Sequence, residues 1–310
     1  MIQDAINNTV GIKKLCGKTV LIMGATGLIG SYITRMLISL NESLEVTGPI
    51  PVTIIAASRK IENLENRFGK NVPNLFFVSN DMVDAYAGTT GSMAGKEPYA
   101  CSADGLEEKR ACAYSSVELE NVATFLAKID YIIHAASPSH PAAFRENPVE
   151  VMKANIGGVT VACELARSNK GCRVLYLSSG EAMHELDHLN TRACYPISKK
   201  ASETLCLSYA AEYGVDVRIA RICHTFGGDV IQADNKASSQ FIRMAAKGED
   251  IVLLSKGEQR RSYAYVYDVA SAILTILCAD LCSGVIYNIA SDDSCSIYEF
   301  AAMCADEGGV

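Results

Sequence analysis

The sequence predicts an α/β fold, a doubly wound parallel sheet followed by a small C-terminal subdomain. Three observations carry that prediction. Short apolar runs alternate with helical segments through the first 226 residues. The first run ends in a glycine-rich turn that opens a helix. After Gly227 the rhythm breaks into shorter pieces. Strands separated by helices pair in parallel, because each helix carries the chain back across a sheet face. Right-handed crossovers then cover both faces.

Thr19–Met23 (TVLIM) is the first strand, and apolar residues at helical spacing follow from Leu28 to Leu40. Pro51–Ala57, Asn74–Val78, Tyr131–Ala135, Arg173–Leu177 and Val215–Ile222 read as strands two to six. Pro148–Ser168 and Ser198–Tyr213 are the clearest later helices. Tyr86–Ser116, rich in Gly, Ala, Ser and Thr, reads as an inserted, lid-like loop. Beyond Gly227, Ile251–Leu254 and Val285–Ile289 read as short strands of a cap. Ser296–Val310 begins a helix and stops, which suggests a short or truncated end. The expected division is therefore a dinucleotide-binding part over 1–226, with the insertion at about 86–116, and a small substrate-binding cap over 227–310.

Composition narrows the function. The 310 residues are 49% hydrophobic and 20% charged, the balance of a globular protein with a core. A net charge of −7 argues against a nucleic-acid surface, which needs clustered Lys and Arg. Met1–Lys14 lacks a basic-then-apolar leader pattern, and no apolar run reaches the roughly 18 residues of a membrane span. A cytoplasmic setting without membrane contact is expected, with the twelve cysteines reduced. Cys278 and Cys282 have no second Cys or His pair near them in sequence, so no metal site is expected.

Three motifs carry chemistry. Gly24-Ala25-Thr26-Gly27-Leu28-Ile29-Gly30 joins strand to helix. Gly24 permits the tight turn, Gly27 lets backbone approach a pyrophosphate, and Gly30 lets the helix pack close to the sheet. The helix N-terminus adds free N–H groups and a favourable dipole. Tyr195 and Lys199, four apart at the start of a helix, share one face. An ammonium beside a phenol lowers the phenol's pKa, so Tyr195 can take a proton from a hydroxyl as hydride leaves the same carbon. Ser178-Ser179-Gly180-Glu181 ends the fifth strand, where a hydroxyl can steady that phenol.

Together these motifs resemble the extended short-chain dehydrogenase/reductase family, the NAD-dependent epimerase/dehydratase group, with its Rossmann-type sheet. The resemblance spans about Leu15 to Phe300, interrupted by Tyr86–Ser116. Within the group it is most similar to the UDP-glucuronate decarboxylase branch, through His134–Pro138 (HAASP) with Asn147-Pro148, Arg192–Tyr195 (RACY) and Val217–Ile222 (VRIARI). The resemblance implies that Ser179, Tyr195 and Lys199 are the catalytic triad. Asn155 then supports an active-site water, and Glu181 acts with the triad. It implies dinucleotide contacts from Gly24, Thr26, Gly27, Leu28, Ile29, Gly30, Ser58, Arg59, Asp81, Met82, Ala135, Ala136, Ser137, Tyr195 and Lys199. Substrate contacts fall to Ser137, Ser179, Glu181, His224, Lys236, Gln240 and Arg261, with Arg261 on a diphosphate.

The departures are informative. Gly180 replaces the Asp that dehydratases carry after the catalytic hydroxyl, which disfavours 4,6-dehydration. Lys236 stands where similar decarboxylases have Arg, His224 replaces a substrate-touching Asn, and Gly228 replaces a Pro. The second strand ends in Ser58-Arg59-Lys60 rather than an acid for the ribose 2′-hydroxyl, so NADP is an alternative to NAD. The expected function is conversion of a nucleotide-diphosphate sugar through a 4-keto intermediate. UDP-sugar 4-epimerisation comes first, UDP-glucuronate decarboxylation second and NADPH-dependent reduction of another carbonyl third. A homodimer is expected through Pro148–Ser168 and Ser198–Tyr213.

Overall fold

The computed structural model describes residues 1–44, 48–90, 123–183, 190–228, 234–280 and 283–309. Seven parallel strands form the central sheet in the order β10-β6-β5-β4-β1-β2-β3. They are β1 (Thr19–Met23), β2 (Thr53–Ser58), β3 (Leu75–Ser79), β4 (Tyr131–His134), β5 (Arg173–Ser179), β6 (Asp216–Ile222) and β10 (Val285–Ile289); β7 (Thr225–Phe226), β8 (Arg260–Arg261) and β9 (Ala264–Tyr265) are two-residue strands outside this sheet. Sequence and structure agree on all six expected strands to within two residues at either end.

Period-two alternation sorts each strand between two cores. Val20, Ile22, Ile54, Ala56, Ile133, Leu175 and Leu177 face one side. There they meet α1 (Ile2–Asn8), α2 (Leu28–Leu44) and α9 (Val266–Cys278). Leu21, Met23, Ile55, Ala57, Ile132, Val174 and Tyr176 face the other. There they meet α4 (Asn80–Thr90), α6 (Pro148–Ser168) and α7 (Cys194–Tyr213). The strand order reverses between β1 and β4, which puts the ligand crevice beyond their carboxyl ends.

Several expectations change. Tyr86–Thr90 closes α4 rather than opening a loop; the remainder of the proposed insertion, 91–116, lies outside the described residues. Ile251–Leu254 has strand-like alternation but is not a strand. Ile251 and Leu253 pack on Phe241 and Phe300, while Val252 and Leu254 are exposed, and no partner supplies ladder bonds among the described residues. Val285–Ile289 is a strand, but it extends the central sheet beside β6. Residues 227–310 are therefore not one separate cap, because α9 and β10 belong to the main layers. The smaller cluster joins α8 (Ala237–Lys247) to α10 (Ile297–Gly308) around Phe241, Phe300 and Ala301. Helix α10 starts on a capping box between Ser296 and Glu299, the sequence signal of Ser followed by Glu three residues on.

Two arginines fasten α9 to the sheet. Buried Arg218 donates to the carbonyls of Ile276 and Ala279, both at 2.5 Å. Arg173 donates to those of Leu277 (2.6 Å) and Ala279 (3.2 Å) and pairs with Asp216 at 2.6 Å. Guanidinium groups at a helix C-terminus satisfy its last carbonyls and oppose its dipole.

Candidate active site

The glycine turn follows β1 into α2. Gly24 sits at φ +85°, and a Cβ there would lie 2.6 Å from the Ala136 nitrogen, in the turn after β4. A Cβ on Gly30 would collide with the Gly24 carbonyl. The two turns at the topological switch therefore touch through glycine alone. Gly24 and Ala25 donate to the Ala57 carbonyl at 3.0 and 3.1 Å, pinning the turn to β2. Leu28 and Ile29 open α2, where first-turn amides have no acceptor within the helix. That donor set fits a pyrophosphate. We expect Gly24→Ala to lower stability by roughly 1–3 kcal/mol and to abolish dinucleotide binding in a fluorescence titration. Gly214→Ala is the control: its φ is +68° with nothing within 4 Å of an added Cβ, so it reports the backbone cost without the collision.

Hydroxyls and cations gather at the end of β2, where the sequence placed the ribose contacts. Thr26 and Ser58 hydroxyls meet at 3.2 Å, and Arg59 and Lys60 are exposed beyond β2. Arg67 reaches back from α3 (Ile61–Phe68) to the Ser31 hydroxyl at 2.8 Å. Asp81 is exposed on the first turn of α4. Met82 departs from its expected role. Its side chain is buried in the core, and its amide donates to Ser79 Oγ at 3.2 Å.

Ser179, Tyr195 and Lys199 lie together where β5 ends and α7 begins. Ser179 ends β5, close enough to Tyr195 for its hydroxyl to favour the ionised phenol. The same oxygen accepts from the Glu181 amide at 3.2 Å. The Lys199 ammonium donates to the Leu177 carbonyl at 2.7 Å and lies 5.8 Å from the centre of the Tyr195 ring. Burial pushes the phenol up to about 12, against the Ser179 hydroxyl, with Glu181 adding to the rise. Burial pulls the ammonium down to about 7, opposed by Cys206 and Glu203. Asn155 on α6 donates to Ser198 Oγ at 2.8 Å, which ties α6 to α7 at the catalytic turn.

Three further features were not read from sequence. Phe144, on α5 (Pro141–Glu146), stacks on Tyr195 with ring centres 4.6 Å apart. Glu203 on α7 accepts from Arg221 at 2.8 and 2.6 Å and from the Ser178 hydroxyl at 2.6 Å, clamping the helix to the ends of β5 and β6. His134, buried at the end of β4, is the third.

The expected substrate residues are only partly assembled. Glu181 is exposed near Tyr195. Ser137 Oγ donates to the Pro138 carbonyl at 3.4 Å. His224 is exposed, its ring 6.0 Å from that of Tyr263. Lys236 pairs with Asp234 at 3.4 Å, and Gln240 donates to the Asn235 carbonyl at 2.6 Å, so both are engaged within their own loop. Arg261 likewise donates to Gln259 Oε1 at 2.9 Å and the Arg260 carbonyl at 3.0 Å. No cluster of three metal-ligating side chains occurs among the described residues, and Cys282 lies outside them.

This chain is 29% identical over 304 residues to UDP-glucuronic acid decarboxylase 1 of Xenopus tropicalis, covering 86% of this chain and 72% of that protein. Its fold is similar to that of the Bordetella bronchiseptica enzyme WbmF, solved with NAD+ and UDP. There the TM-score is 0.71 at 19% identity, over 96% of this chain and 79% of that one. It is also similar to UDP-glucose 4-epimerase from Thermotoga maritima, solved with UDP-glucose, at TM-score 0.66 and 19% identity over 94% and 83% of the two chains. Residues 20–290 match the NAD dependent epimerase/dehydratase family, and the chain is an enzyme that belongs to it.

Proposed function

We propose that this enzyme converts a nucleotide-diphosphate sugar through a 4-keto intermediate, with decarboxylation of UDP-glucuronate as the leading reaction. The observation that carries the reading is that Ser179, Tyr195 and Lys199 gather at the carboxyl end of β5, the same edge of the parallel sheet from which the Gly24 turn leaves β1. The nicotinamide dinucleotide that the glycine turn fits supplies a hydride acceptor and, later, a hydride donor. The chain's own residues handle the proton. Tyr195 accepts it from the sugar C4 hydroxyl at its phenolic oxygen, Ser179 orients that oxygen, and the Lys199 ammonium stabilises the phenolate. Glu181 is positioned to act on the sugar beside them. Phe144 closes one face of the Tyr195 ring against water.

Sequence alone put epimerisation ahead of decarboxylation. Similarity to relatives named UDP-glucuronic acid decarboxylases supports the reverse order. One observation favours epimerisation as a second reading: Lys236 is paired with Asp234, and a carboxylate there disfavours a uronate carboxylate nearby. Incubation of the purified protein with UDP-glucuronate and with UDP-glucose, each with NAD and then NADP, separates the readings by product. Loss of carbon dioxide supports the first, and a C4 epimer the second. No conversion of any nucleotide sugar removes both. NAD is the family's dinucleotide, and Arg59 and Lys60 make NADP the alternative for this chain.

The expected homodimer belongs to the same proposal. Val149 and Met152 on α6 and Leu207 and Tyr213 on α7 are exposed apolar groups on the two helices concerned. A monomer by light scattering at micromolar concentration contradicts it. No helix among the described residues is long and apolar enough to cross a membrane.

A further inference from the structure

A cavity of 690 Å³ opens between α1, α9 and the carboxyl end of β10. It is separate from the site described above. Helix α9 covers the sheet face opposite α7, which carries Tyr195 and Lys199, and β10 stands three places beyond β4 in the strand order. Its volume falls within the range of small-molecule sites, about 300–1,000 Å³.

One end of the cavity is aromatic and acidic. Tyr265 and Tyr267 line it, with Asp268 beside them on the first turn of α9, and Tyr287 lines the same cavity from β10. The Tyr265 and Tyr267 rings meet at 62° with centres 5.7 Å apart, so they form a corner. Each is packed on a further ring: Tyr267 edge-on to Tyr32 of α2 at 4.7 Å, and Tyr265 against Phe226 at 5.6 Å. No Lys or Arg among the described residues lines the cavity. Asp4 is engaged by the amino group of Met1 at 2.7 Å, whereas Asp268 has no ion pair among the described residues. Burial, then Tyr267 and Asp268, raise the Tyr265 phenol, which stays neutral beside that carboxylate. A first-turn acid suits a helix dipole, but that role does not call for rings set at an angle around an open space.

Farther along α9 the hydroxyls are already used. Ser271 accepts from the Thr9 hydroxyl at 3.0 Å, and Thr275 from the Val10 amide at 3.1 Å. What α9 then presents is Ala272 and Ile276, with Ala5 and Ile289 on the other walls. From Tyr265 to Ile276 the helix rises about 16 Å. We propose that this cavity binds an organic ammonium ion, its charged head held by the Tyr265 and Tyr267 rings and the Asp268 carboxylate, and its alkyl tail lying along α9 toward Ile276. Aromatic faces attract a cation through the ring quadrupole, and the carboxylate supplies the opposite charge. The site takes no part in the reaction proposed above and does not rest on it.

Hexyltrimethylammonium, tetramethylammonium and hexanoate are the probes, titrated into the full chain with NAD present. Binding is followed through the methyl NMR signals of Ala272, Ile276 and Ile289. We expect hexyltrimethylammonium to shift these signals and to bind about tenfold tighter than tetramethylammonium, while hexanoate leaves them in place. Asp268→Asn should weaken hexyltrimethylammonium about tenfold, and Tyr265→Leu about fivefold. Ala272→Leu narrows the tail end, so it should bring hexyltrimethylammonium down to the affinity of tetramethylammonium without weakening the latter. Tyr265 packs on Phe226, so its variant is read beside Asp268→Asn and Ala272→Leu, which leave the rings in place. Tyr195→Phe is the control and should bind as the wild type does. Equal binding of hexanoate, affinity unchanged in both Asp268→Asn and Ala272→Leu, binding lost in Tyr195→Phe, or no shift with either ammonium ion overturns the site. Because no turnover is read, failure of the protein to convert nucleotide sugars overturns the proposed function and leaves this site standing.

Discussion

Tyr195→Phe is expected to lower turnover by about 10³-fold while leaving the melting temperature and dinucleotide affinity near their wild-type values. The reasoning is local. The substitution keeps the ring that stacks on Phe144 and removes only the oxygen beside Ser179. In the proposed reaction that oxygen is the group that exchanges a proton with the sugar C4 hydroxyl. Because burial pushes the phenol to about 12, wild-type activity also depends on cationic charge that stabilises the phenolate. Turnover within tenfold of wild type in the variant, measured on UDP-glucuronate and UDP-glucose, would mean that the proton leaves by another route.

Lys199→Met should separate stability from function even more sharply. The ammonium has an ordinary value of 10.5 and falls to about 7 in the folded chain. Above the unfolded value neither state carries the proton, and the residue costs nothing. As pH falls from 10.5 toward 7, the unfolded chain takes up a proton that the folded chain refuses, so stability falls. Below the folded value the cost is constant. Lys199 thus destabilises the ligand-free fold by on the order of several kcal/mol at and below neutral pH. The methionine variant should melt higher at pH 7, lose activity and erase this part of the stability slope between pH 7 and 10. Melting curves of both proteins across that range are the check. Parallel slopes for the two would show that the lysine is solvated in the folded state.

Much of this site was legible in the sequence because its determinants are local. A glycine at φ +85° after an apolar strand, and Tyr195 and Lys199 on one helical face, need only a few residues of context. What was missed depends on contacts between distant segments. Val285–Ile289 reads as a strand, yet nothing in five residues says that β6 is its neighbour. The alternation of Ile251–Leu254 is real and still makes no strand, because a ladder needs a partner. His134 and Tyr176 look like ordinary strand residues until register sets them side by side. Lys236 was weighed as a substrate contact, but its pairing with Asp234 depends on the path of one loop. Met82 was assigned to the dinucleotide by resemblance, and burial gives its side chain to the core.

The place of β10 has a consequence for how the molecule is made. Synthesis delivers β6 more than sixty residues before its outer neighbour. Until Val285–Ile289 leaves the ribosome, β6 is an unpaired edge, and Arg218 has no α9 carbonyls to receive its guanidinium. The glycine turn and the catalytic helix are complete by Tyr213, yet the sheet that carries them closes only once Val285–Ile289 has been made. A nascent chain halted near residue 226 therefore exposes an adhesive strand beside the completed glycine turn and the helix of Tyr195 and Lys199.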